Sequence, residues 1–423
     1  MSVIAIFSYL IALYIRPQDW LPSMYGFPLV DIVGSVALII AFVNLPQQKR
    51  PIVSAQLFFI IFYLAMVFLS NLFTGHADAA TPQLIDYFKR TAIFFILIFS
   101  IRDTGQLRKV ISFIILLSVI LAIQVILHNL YGISVYGQTT TKDNRVSWIG
   151  AWDGPNVLCL LFVIAIALSF GFITHPYSML VRIANVIFIA IMMYGVYLTN
   201  SRGGVLGLLA VIVTFLWNKF MYQKRLSAKI LWGVAVVFAI LIVLNFGPSR
   251  MNELNSTEES AHERTWIWER GYNLFRENPV FGIGKGQFQE VYHEVGHNNF
   301  VQTMVEMGVP GLFIYTALIY LSLKWLRIVS KNSLEKIKDK KLISLSEALF
   351  SSMVGYVVTT YFITMELAIL FLWFGLCAAT INIARGETGN GFFRFSFKDI
   401  GIVCVTMVAI VFSIYLVAIK EII

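Results

Sequence analysis

The chain has 423 residues, of which 58% are hydrophobic and only 13% are charged. This composition excludes an ordinary soluble domain, because one soluble core cannot bury so much apolar side chain, and it predicts a polytopic membrane protein. The net charge of +9 would suggest nucleic acid in a soluble protein. Here the basic residues concentrate in alternate loops, so we expect no nucleic-acid partner.

Hydropathy over windows of about 20 residues marks about 12 or 13 candidate spans, so the expected fold class is an all-α polytopic membrane protein. The spans are 2–15, 29–44, 53–72, 89–101, 109–130, 156–173, 180–199, 203–218, 229–247, 298–326, 344–362, 366–384 and 400–419. We treat residues 1–423 as a single integral membrane domain. The N-terminus lacks the basic leader and cleavage site of a signal peptide, so we expect it to be retained.

The basic residues indicate how the chain is oriented. With the N-terminus inside, one set of loops is rich in Lys and Arg. The short loops of the other set hold only Arg16, Lys89, Arg90, Lys142, Arg145 and Arg202. This asymmetry follows the positive-inside rule and leaves one long polar segment, 248–297, on the outer face as the expected catalytic loop. Thirteen spans would leave the C-terminus outside and twelve would leave it inside.

The outer loop is expected to contain two helices. Apolar residues at helical spacing predict an amphipathic helix on or near the membrane surface; they are Ile267, Gly271, Leu274 and Phe275. The sequence GIGKG, residues 282–286, resembles a phosphate-binding loop only superficially, because no strand precedes it and the nucleotide-binding spacing is absent. We interpret it as a turn, followed by a short helix over 287–294 that Gly296 ends.

The sequence HEVGH, residues 293–297, matches the pattern of zinc proteases, in which two histidines one turn apart bind the metal and Glu294 acts as base. No third ligand follows at a familiar spacing. Asn298 and Asn299 are instead expected to cap the next span, which would break the helix between the histidines. A membrane zinc metalloprotease is therefore the lesser alternative, and we expect no metal site and no cofactor.

Three arginines fall on the outer face: Arg145, Arg202 and Arg264. Arg202, in LTNSRGGVLGLLA, alone would be typical of an interfacial anchor. The glycines beside it, however, leave room for a bulky anion or for a neighbouring helix. Because planar guanidinium groups bind diphosphate bidentately without metal, we hypothesise a diphosphate ligand at the membrane surface.

The span that follows the histidines carries an ionisable residue, Glu306. Such a residue is by default a functional-site hypothesis, and the alternative is a carboxylate paired with a neighbouring helix. Gly308, Pro310 and Gly311 then predict a kink or a close helix contact in the same span.

Several stretches resemble the O-antigen ligase and polymerase superfamily, which are bacterial membrane glycan transferases. They are NSRGGVLGL, HERTWIWERGYNLFRENPVFGIGKGQF and, most specifically, GHNNFVQTMVEMGVPG with its His-Asn…Gly-x-Pro-Gly motif. RVSWIGAWDGPNVLCL is similar to an upstream segment of that family, although Gly154 intervenes between Asp153 and Pro155. The resemblance covers roughly residues 140–325.

The resemblance implies metal-independent, inverting transfer of an oligo- or polysaccharide from undecaprenyl diphosphate to a sugar hydroxyl. The reaction would take place on the periplasmic face of the bacterial inner membrane. By matching motif, Arg202 and Arg264 would bind the diphosphate as leaving group, and His297 would activate or orient the acceptor hydroxyl. The expected substrate-binding residues are Arg145, Asn298, Glu306 and Arg270.

The expected partners are an undecaprenyl-diphosphate-linked glycan donor, a glycan or lipid A core acceptor and the lipid bilayer, with a chain-length regulator as a candidate. Ligase and polymerase share these motifs and differ in the acceptor, so both remain open. A transporter or flippase of lipid-linked sugars is the alternative from another class. It is not favoured, because the sequence has neither repeated halves nor a polar cluster at mid-span.

Overall fold

A computed structural model describes most of the chain. The described residues are 2–45, 54–132, 139–140, 145–148, 152, 154–173, 176–220, short stretches between 227 and 237, 259–331, 337–365, 368–389 and 393–419. The first part of the predicted outer loop, 248–258, lies outside them.

The described residues fold almost entirely into α-helices, and the expected all-α membrane fold is confirmed. The helices are α1 (Ser2–Tyr14), α2 (Pro17–Trp20), α3 (Leu29–Val43), α4 (Ala55–Phe73), α5 (Ala77–Ser100), α6 (Thr104–Tyr131), α7 (Pro155–Ile173), α8 (Met179–Leu198), α9 (Arg202–Phe220), α10 (Glu259–Glu277), α11 (Gln287–Tyr292), α12 (Asn299–Ser330), α13 (Lys340–Thr360), α14 (Ala368–Thr388) and α15 (Phe397–Ile419). A 3-10 turn covers Pro22–Met24, and two short strands, β1 (Thr139–Thr140) and β2 (Val146–Ser147), pair antiparallel before α7.

Within the described part of the chain, nine helices are long and apolar enough to cross a membrane: α4, α6 to α9 and α12 to α15. The apolar helix α3 is shorter. Each predicted span overlaps one of these numbered helices except 229–247, most of which lies outside the described residues. The predicted span 89–101 is the second half of α5, whose first turns are polar.

The core of the bundle lies around α7 and α14, whose residues are almost all buried. Helix α7 packs between α8, α9 and α13, and α13 also packs against α12. Helices α8 and α15 are largely exposed and lie at the periphery. This packing brings the starts of α7, α9 and α12 and the end of α13 to one end of the bundle, where the candidate site is found.

Helix α9 approaches its neighbours through glycines. A Cβ atom on Gly204 would overlap Cys159 Sγ of α7, and one on Gly207 would overlap Thr359 Oγ1 of α13. For these two glycines the structure favours close helix packing over room for an anion.

We expect Gly207→Ala to destabilise the bundle. The Thr359 hydroxyl donates a hydrogen bond to the Gly355 carbonyl at 2.8 Å, so it is not free to yield to an added methyl group. Overpacking of this kind costs about 1–3 kcal/mol, which thermal unfolding of the protein in detergent would show as a lower midpoint. The matched control is Gly401→Ala in α15, where an added Cβ meets nothing within 4 Å. Equal midpoints for the two variants would contradict the packing argument.

Candidate functional site

Three arginines from separate parts of the chain line one cleft at the end of the bundle. Arg145 precedes β2, Arg202 is the first residue of α9, and Arg264 lies near the start of α10. The other residues that line the cleft are Asn156, Asn200, Gly203, Phe362 and Ile363. The structure thus brings together the three outer arginines that the sequence suggested; their roles stay predictions.

Arg145 is oriented by hydrogen bonds to two of the surrounding elements. Its Nε donates to the Thr199 carbonyl at 3.0 Å, and its Nη2 donates to Asn156 Oδ1 at 2.7 Å. The Ser201 hydroxyl donates to the same Asn156 oxygen at 2.7 Å. Asn156 therefore links Arg145 to the start of α9 and holds both at the cleft.

The N-terminus of α9 contributes positive potential to the cleft. Ser201 Oγ accepts a hydrogen bond from the Gly204 amide at 3.3 Å, as an N-cap residue does. Asn200, which precedes it, has a left-handed backbone with φ 50°. Because a helix N-terminus carries a partial positive charge, it reinforces the arginines in attracting an anion.

Helix α10 is the predicted amphipathic helix, and it packs against α12 and α15. Its apolar side is buried at Ile267 and Trp268. A Cβ on Gly271 would lie 3.0 Å from Val301 of α12, so the two helices approach closely there. This packing directs Arg264, one turn before Trp268, toward the cleft.

The two histidines of HEVGH do not share a helix face. Helix α11 ends at Tyr292, and His293 and His297 both have left-handed backbones, with φ 56° and 46°. Asn298 caps α12, since its Oδ1 accepts from the Phe300 amide at 2.8 Å. The predicted break is confirmed, although the short helix ends before His293 and not at Gly296. The described residues contain no cluster of three or more His, Cys, Asp or Glu that could hold a metal ion.

The environment of His297 favours the neutral imidazole. Burial lowers the pKa of His297 from its ordinary value, and the nearby Arg264 guanidinium lowers it further. Glu294, whose Oε2 lies 3.6 Å from His297 Nε2, and Glu263 act in the opposite direction without cancelling the effect. A neutral, partly exposed imidazole is able to accept a proton near pH 7.

His297 is fixed in place through both of its chain neighbours. The Gly296 carbonyl accepts from Trp268 Nε1 at 3.0 Å, and the Gly296 amide donates to Gln302 Oε1 at 2.7 Å. The Asn298 amide donates to Thr364 Oγ1 at 3.2 Å, next to Ile363 of the cleft wall. His297 therefore lies between α10 and the connection from α13 to α14, beside the cleft.

The span after His297 is kinked as predicted. Gly308 has φ 63° and ψ −160°, outside the helical region. Pro310 has no N–H to donate to the Glu306 carbonyl, so α12 loses helical hydrogen bonds at this point. A buried carbonyl without a donor is costly, and another part of the chain has to supply one.

The GIGKG turn supplies the missing donors. The Ile283 amide donates to the Val305 carbonyl at 2.9 Å, and the Gly284 amide donates to the Glu306 carbonyl at 3.2 Å. A Cβ on Gly282, which has φ 69°, would overlap the Val305 carbonyl oxygen. The glycines thus allow the turn to lie against the kinked span, which supports the turn interpretation.

Residues 187–316 match the family model described as O-antigen ligase. This stretch is therefore similar to the O-antigen ligase family. A protein of Rickettsia conorii named "Putative polysaccharide ligase RC0486" is 25% identical over 155 residues, which are 32% of this chain and 37% of that protein. The chain thus spans about 37% of the length of this curated relative. The resemblance to the O-antigen ligase superfamily is confirmed, and the apolar helices make the chain a multi-pass membrane protein.

The matched O-antigen ligase segment contains Arg202, Arg264 and His297, whereas Arg145 lies upstream of it. It also contains Arg270, which is exposed and stacks over Trp266 at 4.0 Å and Tyr292 at 5.5 Å. Arg270 does not line the cleft, because six residues along α10 turn it away from Arg264. The structure therefore does not bring this predicted substrate contact to the arginines.

Asn298 and Glu306, the other predicted contacts in the matched segment, are buried. Asn298 serves as the cap of α12. Glu306 Oε2 lies 2.5 Å from Lys285 Nζ, and both side chains are 1% exposed. This ion pair corresponds to the paired-carboxylate alternative, although the partner comes from the GIGKG turn and not from a neighbouring helix.

Sequence reasoning missed several residues of the site. Phe362 and Ile363 line the cleft, but a hydropathy window assigns the first to a span and gives the second no role. Asn156 stands in the quoted Pro-Asn pair, and its bond to Arg145 is visible only in three dimensions. Lys285 gave no signal in the sequence, because a lysine in a glycine-rich turn is ordinarily exposed to solvent.

Proposed function

We propose that this protein is a membrane glycan ligase or polymerase that transfers an oligo- or polysaccharide from undecaprenyl diphosphate to a sugar hydroxyl. The observation that carries the proposal is the cleft in which Arg145, Arg202 and Arg264 converge beside His297. The similarity to the O-antigen ligase family and the name of the Rickettsia protein support a glycan-transferring enzyme.

The reaction is a single displacement. The acceptor hydroxyl oxygen attacks the anomeric carbon of the donor, and its proton passes to the neutral His297 imidazole. The bond between the anomeric carbon and the diphosphate oxygen breaks, and the diphosphate leaves with the bonding electron pair. Attack from the side opposite the leaving group inverts the anomeric configuration.

The leaving group needs little more than charge neutralisation. Arg202 and Arg264 bind the diphosphate oxygens as planar forks, and the N-terminus of α9 adds its partial charge. Such groups stabilise charge that develops in the transition state and require no metal ion. Arg145 forms the wall of the cleft that Asn156 and Thr199 hold in place.

We propose that the cleft faces the periplasm, with the bundle in the inner membrane. The basic loops at the opposite end support this orientation. Single cysteines that replace Arg270 and Lys338, both exposed, in a background without Cys159, Cys377 and Cys404 would test it. We expect an impermeant maleimide to label position 270 in intact spheroplasts and position 338 only after permeabilisation. The reverse pattern would invert the topology and the assigned face of the site.

The transfer reaction is tested with purified protein and an undecaprenyl-diphosphate-linked oligosaccharide in excess EDTA. We expect transfer to persist, with released undecaprenyl diphosphate as the second product. Gel and mass analysis then distinguishes a lengthened glycan, which defines a polymerase, from a capped acceptor, which defines a ligase. Loss of transfer in EDTA that zinc restores would overturn the metal-independent mechanism.

The pH dependence gives a further prediction. A base must be deprotonated, so the rate falls as the pH drops through the pKa of His297. Glu294 raises that pKa, so Glu294→Gln should move the acid limb of the rate–pH profile to lower pH. The rate at neutral pH should stay within about threefold of the unmodified enzyme, because Glu294 is not the base. Complete inactivity of Glu294→Gln would instead indicate that Glu294 is itself required for transfer, and would contradict the assignment of His297 as the base.

A further inference from the structure

A chain of buried polar groups connects the kinked span to the backbone beside His297. Lys285 Nζ lies 2.5 Å from Glu306 Oε2, and Glu306 Oε1 accepts from Gln302 Nε2 at 2.6 Å. Gln302 Oε1 accepts in turn from the Gly296 amide at 2.7 Å. Gln302 is only 5% exposed, so these bonds lie away from bulk solvent.

The charge on Glu306 determines which way the Gln302 amide points. An ionised carboxylate only accepts hydrogen bonds, so the NH₂ group of Gln302 has to face it. The carbonyl oxygen of Gln302 then faces Gly296, whose amide is a donor. Lys285 keeps this arrangement stable by supplying the opposite charge in a buried position.

The last bond in this series, from the Gly296 amide to Gln302, restricts the backbone next to His297, the proposed base. His297 follows Gly296 directly and has φ 46°, a conformation that non-glycine residues adopt only when their surroundings hold them there. Gln302 holds the Gly296 amide and Trp268 holds its carbonyl. The direction of the His297 side chain therefore depends on both bonds.

We infer that Glu306, paired with Lys285, is a positioning residue that acts through Gln302 to aim His297 at the acceptor hydroxyl. This inference rests on the proposed role of His297 as base. It assigns to the buried carboxylate a part in the chemical step without contact to the substrate.

Exchanging the two charged residues distinguishes this positioning role from a purely structural one, in which the ion pair only holds the GIGKG turn against α12. In Lys285→Glu/Glu306→Lys the ion pair is retained with its partners exchanged. The ammonium group introduced at position 306 presents only donors to Gln302, so the amide has to turn its oxygen toward that group. The NH₂ group of Gln302 then meets the Gly296 amide, and two donors face each other. If the ion pair only holds the turn against α12, the swap variant keeps that function. If the pair orients Gln302, the swap variant loses it.

The experiment measures kcat and the donor KM of the swap variant and of Gln302→Leu with purified full-length protein. We expect kcat to fall about 10- to 100-fold in both, because misplacement of a catalytic group by about 1 Å costs rate of this order. The donor KM should change by less than about threefold, since the arginine cleft is intact. Hydrogen exchange of the peptide that covers 293–298 should become faster in both.

The matched control is Gln56→Leu. Gln56 is another buried glutamine that bonds to α12, donating to Ser322 Oγ at 2.8 Å, far along the helix from His297. This variant should keep its kcat, which separates general loosening of α12 from misdirection of His297.

Two outcomes would overturn the inference. A swap variant with the kcat of the unmodified enzyme would reduce the pair to a brace, and a raised KM with unchanged kcat would indicate substrate contact. If the swap variant does not fold, Gln302→Leu alone decides, because it leaves the ion pair intact. Full activity of His297→Ala would refute the proposed function itself, which is a different result from full activity of Gln302→Leu.

Discussion

Replacing His297 with alanine is expected to lower kcat by roughly 10²- to 10⁴-fold, the usual contribution of a general base. Burial and Arg264 lower the pKa of the imidazole, which favours its neutral form, and the bonds of Gly296 and Asn298 fix its backbone. Alanine removes the proton acceptor while the arginine cleft stays in place, so the donor KM should change little. Steady-state transfer from the lipid-linked donor measures both constants.

The control for this substitution is His293→Ala. His293 is exposed and follows the end of α11, so its replacement should leave kcat within about threefold of the unmodified enzyme. The two histidines serve equally in a zinc site and unequally in a glycan transferase. Equal inactivity of the two variants would therefore restore HEVGH as a candidate metal site.

Arg202→Lys should be the second severe change, with kcat lower by about 10²- to 10³-fold, the cost of removing one donor from a site that stabilises developing negative charge. Lysine keeps the charge but loses the planar fork that holds two diphosphate oxygens at once. It also shortens the reach of the side chain from the first turn of α9. The transfer assay should show the loss at saturating donor.

Arg270→Lys is the matched control for Arg202→Lys. Arg270 lies on the outer face but stacks on Trp266 outside the cleft, and we expect near-normal transfer from this variant. Near-normal transfer from Arg202→Lys itself would return Arg202 to the role of an interfacial anchor. Strong impairment of both variants would extend the donor site along α10.

The parts of the site that follow from one-dimensional patterns could be predicted. The asymmetry of basic loops assigned Arg145, Arg202 and Arg264 to one face, and helices that alternate in direction bring such loops to one end of a bundle. The asparagines after His297 signalled a helix start, since a side chain that caps a helix acts over two or three residues. The kink at Gly308 could also be predicted, because it depends on glycine and proline residues within one short stretch.

The parts that depend on tertiary contact could not be predicted. Lys285 and Glu306 are separated by a helix and two turns, and their pairing requires the glycine turn to fold back on the kinked span. Phe362 lies in an apolar stretch that is typical of a membrane span, because hydropathy reports composition and not which face of a helix end meets a cleft. Arg264 and Arg270 lie in the same predicted helix. Only their different positions around the axis of α10 place Arg264 at the cleft and Arg270 outside it.

The contact between the GIGKG turn and the kinked part of α12 also limits how enzymes of this kind can be recombined. The turn completes the hydrogen bonding of α12. If the turn and α12 come from different proteins and do not fit each other, these hydrogen bonds are lost. A chimera with exchange points at the membrane boundary would separate the amide donors of the turn from the carbonyl acceptors of α12 in an apolar environment. Grafts that aim to change acceptor preference should therefore carry the outer loop together with the first half of α12, as one inherited block.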